Sequence, residues 1–278
     1  MKRALLLAAL AAALVPSASA EQAPLLKPTG ALPAHGIKLS ARAAILVDAD
    51  TGTVLWGRYV HRRLHVASTT KILTALVAMD RLGPRSIVTV DRAVRRVPPI
   101  VEGLRPGERV QAWKLLYALL LYSGNDDALA LAVGAGGTRA RFVEMMNAKA
   151  RALGMRESHF RSPSGLLDRD NYSTAWDMAA LTRYALWNSR FRAIVRTKIK
   201  HVPWSKPIGY KIYVNKNHLL GAYRGADGVK TGWTTLAKHC LVASARRGGV
   251  HLIAVVLGAD DMYGDVKKLL DFGFAARS

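Results

Sequence analysis

Ser68 and Lys71 stand three positions apart in Ala-Ser-Thr-Thr-Lys-Ile-Leu, a spacing that puts a hydroxyl and an amine on one face of a helix. A serine hydroxyl becomes a nucleophile when a base takes its proton, and an amine is such a base only when neutral. Burial, a neighbouring cation and the positive N-terminus of a helix all favour the neutral amine. The same helix end offers a backbone N–H to an oxyanion. Alone, the pair also reads as a capping serine followed by a solvated lysine. Ser123-Gly124-Asn125 adds a hydroxyl and a carboxamide at a break between two apolar runs, where they can project into a cleft; the alternative is a polar turn. Lys230-Thr231-Gly232 lies in a β-like segment and offers a cation and a hydroxyl to a carboxylate, with Gly232 leaving room for a substrate backbone. Its alternative is an edge-strand lysine. The three in this order, on a helix start, an inter-helix loop and a late strand, form a joint signal for nucleophilic serine chemistry.

The elements that must position these residues are legible in the apolar periodicity. Ala43 to Val47 and Thr53 to Trp56 flank Asp50-Thr51-Gly52 as a β-hairpin. From Thr69 to Leu82, Ile72, Leu73, Leu76, Val77 and Met79 cover most of a helix surface, which predicts a buried helix. Arg96 to Gly107 is a Pro-containing loop, and Trp113 to Tyr122 is almost wholly apolar before it breaks at Ser123. Thr138 to Leu153 carries an apolar stripe with Gly154 as its cap, and Thr174-x-x-Asp177 resembles a capping box. β signals return from Ile199, with a second hairpin of His239 to Ala245 and Val250 to Leu257, and a last helix starts near Met262. Strands at both ends with helices between predict a mixed α/β fold of the α+β type. One antiparallel sheet made from both ends is flanked by helices, with a helical lobe at roughly residues 85–170 inserted between.

Lys2 and Arg3 precede an apolar run, Ala4 to Val15, that ends at Pro16 and a small-residue Ala18-x-Ala20 site. That is the pattern of a secretory signal spanning residues 1–20, too short to cross a bilayer. Residues 21–40 read as an extended lead-in and 41–278 as the catalytic domain, with no C-terminal β domain or membrane anchor expected. The chain would be exported, periplasmic or otherwise extracytoplasmic, and soluble after cleavage at Ala20. The full sequence has a formal charge of +22, and loss of Lys2 and Arg3 would leave +20. Such a charge favours polyanions. Export makes acidic wall polymers or an anionic membrane surface the candidates rather than nucleic acid, and Arg spread over solvated faces explains the charge equally well. Cys240 is the single cysteine, so no intrachain disulfide and no cysteine metal cage can form.

The triple of Ser68-Thr69-Thr70-Lys71, Ser123-Gly124-Asn125 and Lys230-Thr231-Gly232 resembles the signature of the penicillin-recognising serine enzymes. With glycine in the middle element, it is most similar to the low-molecular-weight penicillin-binding proteins, the serine-type D-alanyl-D-alanine carboxypeptidases. Ala44 to Leu55, Phe142 to Phe160, Tyr172-Ser173-Thr174 and Asp227 to Thr234 share the likeness, which spans nearly the whole mature chain. The resemblance implies a β-lactamase/transpeptidase-like fold with the active site where sheet and helical lobe meet. It implies that Ser68 attacks the peptide bond between two D-alanines of a peptidoglycan stem peptide, that Lys71 takes its proton, and that Ser123 relays a proton to the leaving D-alanine. Asn125 would hold the substrate amide, Lys230 and Thr231 its terminal carboxylate, and the N–H groups of Ser68 and Trp233 the oxyanion, beside Gly232. β-Lactam antibiotics would acylate Ser68. No metal and no cofactor is implied.

One departure is Ser162-Pro163-Ser164-Gly165-Leu166, where many members of that family place histidine before Gly-Leu, which leaves any acid or base role of the loop open. Four other readings remain. A D,D-endopeptidase that cuts crosslinks would share all three motifs. A class A β-lactamase would need a deacylating glutamate, and only Glu144 and Glu157 lie between the second and third motifs. A zinc peptidase would use His61 and His65, but no glutamate follows His61. A wall-binding protein without turnover would have no use for complete motifs.

Overall fold

The computed structural model describes residues 26–28, 36–166, 170–205 and 207–277. The expected signal segment and most of the lead-in lie outside the described residues. The elements run β1 (Lys27–Pro28), β2 (Ala43–Asp48), β3 (Thr53–Arg58), α1 (Lys71–Arg81), β4 (Ile87–Thr89), β5 (Arg109–Gln111), α2 (Ala112–Tyr117), α3 (Asn125–Gly136), α4 (Arg139–Ala152), α5 (Ala175–Trp187), α6 (Ser189–Val195), β6 (Ile199–Pro203), β7 (Tyr210–Val214), β8 (Ala226–Thr234), β9 (Lys238–Arg247), β10 (Val250–Ala259) and α7 (Met262–Ala275).

The main sheet has six strands in the order β1-β3-β2-β10-β9-β8. All neighbours are antiparallel except β1, which pairs parallel to β3. The two ends of the chain therefore meet at the β2–β10 ladder, as the strand pattern predicts. β10 is nearly continuously apolar because both of its faces are covered. Its alternate residues enter two different cores. Ile253, Val255 and Leu257 join Ile45 and Val47 under the lobe side, whereas Leu252, Ala254 and Val256 join Leu46, Leu269, Leu270 and Phe274 beneath α7. A one-residue slip would exchange these two sets.

The β2–β3 turn is held by Asp48, whose carboxylate accepts the backbone N–H groups of Asp50 at 3.1 Å and Thr51 at 2.8 Å, the short-range turn chemistry expected of aspartate. Asp265 of α7 accepts from Ser40 N, Ser40 Oγ and Ala41 N, tying the chain before β2 to the last helix. The Thr174 hydroxyl caps α5 by accepting Asp177 N at 3.0 Å. The other half of the expected capping box is not made, because the Asp177 carboxylate accepts Glu157 N and Ser158 Oγ instead.

The inserted lobe carries α2, α3 and α4, together with a short ribbon of β4 and β5 that the sequence pattern does not reveal. A second ribbon, β6–β7, lies outside the main sheet. Cys240 is fully buried in β9, and burial pushes its thiol pKa up to about 12, so it acts as a small hydrophobe. Among the described residues no helix is long and apolar enough to cross a membrane.

Candidate functional site

Ser68 sits in a single 3-10 turn, Ala67–Thr70, that leads directly into α1. The turn presents the Ser68 hydroxyl and the Lys71 amine on one side, with Lys71 Nζ donating to Ser68 Oγ at 2.9 Å. Lys71 is completely buried rather than solvated. Its amine also donates to Asn125 Oδ1 at 2.7 Å and to the Ser164 carbonyl at 3.3 Å. Burial first, and then the charge of Lys230, hold the Lys71 pKa well below that of an ordinary lysine. A buried amine beside a second cation is poised to accept a proton.

Ser123, Gly124 and Asn125 occupy the break expected from sequence. α2 continues into one π-helical turn, Ala118–Tyr122, and Ser123 ends it in the left-handed region at φ 74°. The reversal lets α3 begin at Asn125 and points that side chain at Lys71. Asn125 is more tightly engaged than expected, because its amide also donates to the Pro98 and Pro99 carbonyls. Ser123 is buried, and its hydroxyl has no protein partner among the described residues.

The Lys-Thr-Gly segment lies on β8, an outer strand of the main sheet that packs against the Ser68 turn. Gly232 makes this approach feasible. A Cβ there would stand 2.9 Å from Ser68 N and 3.1 Å from Thr69 N, so a larger residue would push the strand off the helix start. Lys230 is buried and donates to the Thr231 carbonyl at 3.0 Å. Burial and the nearby charge of Lys216 bring its pKa down to about 7. Thr231 is half-buried and the Trp233 side chain is exposed. The structure thus links Ser68, Lys71 and Asn125 by direct bonds and brings Gly232 against the Ser68 backbone. Lys230 acts on Lys71 through its field.

The sequence reading did not identify four contributors. The Ser164 contact to Lys71 comes from a backbone carbonyl, so serine in place of histidine leaves it intact. Lys216 acts on both motif lysines through its charge, and its ammonium lies 4.6 Å from the Tyr122 ring centroid. Asp126 accepts the N–H groups of Glu102, Gly103 and Leu104 and so fastens the Arg96–Gly107 loop to α3. Asp127 and Glu102 form a buried carboxyl pair behind Gly124, with Glu102 also held by Tyr213 and, at 3.5 Å, by Lys211. The adjacent Asp126-Asp127 was the available signal, but nothing local points to its partner. A Cβ on Gly124 would fall 1.8 Å from Asp127 Oδ2, so that position excludes larger residues.

Burial, then Glu102, then Asp126 hold the Asp127 pKa well above the usual carboxylate range. A folded-state pKa above the unfolded one means that the carboxyl costs stability increasingly as pH rises through that interval. Asp127→Asn keeps the shape without the titration. It should be more stable than the parent at pH 8, on the order of 1–3 kcal/mol, with the gain shrinking toward pH 4. Urea unfolding at the two pH values checks this, and an equal gap at both would count against it.

The histidines of the zinc alternative have other partners. His61 Nδ1 contacts Glu157 at 2.6 Å, and His65 Nδ1 contacts the Asn171 carbonyl at 3.2 Å.

The family model described as D-alanyl-D-alanine carboxypeptidase (Peptidase_S11) matches residues 29–261. The chain belongs to the D-alanyl-D-alanine carboxypeptidase family. It is 36% identical to a D-alanyl-D-alanine carboxypeptidase of Bacillus subtilis (strain 168), over 84% of this chain and 62% of that protein. It is also 36% identical to the corresponding enzyme of Streptomyces sp. (strain K15), over 88% of this chain and 92% of that one. Among solved structures, a variant of the Streptomyces DD-transpeptidase superposes with a TM-score of 0.82 at 34% identity, covering 86% of this chain and 100% of the other. The D-alanyl-D-alanine carboxypeptidase of Mycobacterium tuberculosis gives 0.82 at 36% identity, covering 88% and 96%. The β-lactamase/transpeptidase-like fold follows from these likenesses. None of these relatives is named an endopeptidase or a β-lactamase, and neither alternative is favoured.

Proposed function

We propose that this family member acts as a serine-type D-alanyl-D-alanine carboxypeptidase, removing the terminal D-alanine from peptidoglycan stem peptides through an acyl-enzyme on Ser68. The observation that carries this reading is the buried Lys71 amine, 2.9 Å from Ser68 Oγ and biased toward its neutral form. Ser68 Oγ attacks the carbonyl between the two D-alanines while its proton passes to Lys71. The developing oxyanion is held by the Ser68 and Trp233 N–H groups, a contribution typically worth about 3 kcal/mol per donor. As the C–N bond breaks, Ser123 carries a proton to the departing amine. Water then attacks the ester and restores Ser68.

Lys230 and Thr231 hold the substrate's terminal carboxylate. With a pKa near 7, Lys230 is partly neutral in the empty site, and an arriving carboxylate favours its charged form. Asn125 positions the substrate amide from its anchored place beside Lys71. β-Lactams acylate Ser68 by the same attack and serve as inhibitors. The N-terminal Lys2-Arg3 and apolar run support export of the chain, and the surplus of basic residues suits acidic wall polymers or an anionic membrane surface.

Incubation with pentapeptide monomers and crosslinked dimers of muropeptides, followed by mass spectrometry, tests the reading. Monomers shortened by one D-alanine with dimers intact are expected. Split dimers with untouched monomers would make the enzyme an endopeptidase.

A further inference from the structure

The β6–β7 ribbon stands outside the main sheet, and its two faces differ in character. The inner face is fixed to the lobe. Val202 is buried, Tyr213 is buried and bonded to Glu102, and Lys114 Nζ donates to the Pro203 carbonyl at 2.6 Å. Just past β6, Trp204 Nε1 donates to Glu108 Oε1 at 2.8 Å. Alternate residues of a strand point to opposite sides, so these anchors determine what the ribbon turns outward.

The outward set is Ile199, His201 and Pro203 from β6, paired across the ladder with Val214, Ile212 and Tyr210 from β7. None of the six is Asp, Glu, Lys or Arg. Directly opposed side chains lie about 5 Å apart, so three neighbouring rungs make one continuous strip. Ile199, Tyr210, Ile212 and Val214 are 49–60% exposed, and Ile208 is exposed in the connecting turn. Contiguous apolar surface with a polar rim marks a place of contact.

The charges around the strip select its occupant. Arg196 and Lys198 are exposed immediately before β6 and have no acidic partner among the described residues. On the inner side Lys211 is matched by Glu102, whereas Lys200 lies 5.1 Å from the Tyr117 ring centroid. The sequence contains no Asp or Glu between Asp177 and Asp227. A second copy would bring like charges together, and edge lysines oppose strand-to-strand pairing. A soluble acidic wall polymer would satisfy the cations but gain nothing from Ile199, Ile212 or Val214. An anionic lipid surface satisfies both. Its headgroups attract Lys and Arg, and its interfacial zone takes up apolar side chains, with Tyr suited to the boundary.

We infer that the outward face of the β6–β7 ribbon docks the enzyme on an anionic membrane surface, with Ile199, Tyr210, Ile212 and Val214 entering the interfacial zone and Arg196 and Lys198 facing the headgroups. This deepens the export and partner reading proposed above, on which it rests. A strip of three rungs supports reversible attachment rather than insertion. It places the enzyme and leaves the acyl-transfer steps at Ser68 unchanged.

Cosedimentation of the processed protein with vesicles of equal parts phosphatidylglycerol and phosphatidylcholine, against phosphatidylcholine alone, tests the inference. The parent should bind the mixed vesicles and not the neutral ones. Ile212→Ser/Val214→Ser should weaken binding at least about tenfold, and Arg196→Gln/Lys198→Gln should weaken it about fivefold per charge removed. All four positions are exposed, so both variants should keep the parent's melting temperature and its release of D-alanine from a soluble acyl-D-Ala-D-Ala peptide. As a second readout, Ile212→Cys carrying a polarity-sensitive dye should shift to the blue on the mixed vesicles; Cys240 is buried and does not compete for the label. No binding by the parent, or binding unchanged in Ile212→Ser/Val214→Ser, would overturn the inference. A lipid-independent dimer that the same variant dissolves would assign the face to a second copy and overturn it too. Vesicle binding by purified protein does not depend on export, so a chain retained inside the cell would overturn the export reading while the ribbon's affinity for lipid stood.

Discussion

Ser68→Ala should form no covalent adduct with benzylpenicillin and should release D-alanine at least about 10⁴-fold more slowly than the parent. The alanine side chain leaves no atom to carry the acyl group, so other donors in the site can bind the substrate but cannot open a second chemical route. Little else should change. Lys71 keeps its bonds to Asn125 and to the Ser164 carbonyl, so the variant should stay within about 1 kcal/mol of the parent in stability. Intact-mass spectrometry after incubation with the antibiotic gives the answer directly. A persistent adduct would remove Ser68 from the nucleophile's role and, with it, the proposed mechanism.

The second large effect separates two roles that Lys71 could play. If it accepts the Ser68 proton, both Lys71→Met and Lys71→Arg should lower the acylation rate by about 10²–10⁴-fold, because neither side chain can act as a base near neutral pH. If it served only as a fixed positive charge, arginine would preserve much of the rate and methionine would not. The parent's acylation rate should rise with pH as the amine loses its proton. That limb should lie well below the usual lysine range, since burial and Lys230 lower the pKa. Both variants should lose it. The stability effect should run the other way. A lysine whose folded pKa is depressed binds its proton less tightly when folded, so it costs stability increasingly as pH falls below the unfolded value. Lys71→Met removes that cost and should be at least as stable as the parent at pH 6.

The parts of the fold that were legible from sequence have local causes. The hairpins carry alternating or continuous apolar residues between turn signals, and α1 carries its apolar surface through its own length. Ser123-Gly124-Asn125 announced itself because polar residues interrupted an apolar run, and the interruption is physical: Ser123 turns the chain through the left-handed region. Of the motif side chains, those of Ser68, Lys71 and Asn125 are bonded to one another. What sequence hid depends on partners far away in the chain. β1 is only two residues long, and its pairing with β3 leaves no periodic trace. The Ser164 carbonyl is invisible in principle, since every residue has one. The Glu102–Asp127 pair joins the loop before α3 to its first turn, and its buried setting arises only once Lys211 and Tyr213 arrive from β7. The engagement of Asn125 by two proline carbonyls has the same origin.

The sheet's strand order has a kinetic corollary. β2 meets β10 before it can be covered on both sides, and β8 reaches the Ser68 turn only as part of the same late hairpin stack. The contacts that assemble the site therefore close a long loop, from the Ser68 turn to β8, and come under the slow, non-local class of folding events. An amino-terminal fragment that holds Ser68, Lys71 and Asn125 but ends before β8 lacks the strand that would align a substrate. Reactivity toward β-lactams should therefore arise late and all at once during refolding, which makes covalent labelling a clock for completion of the sheet.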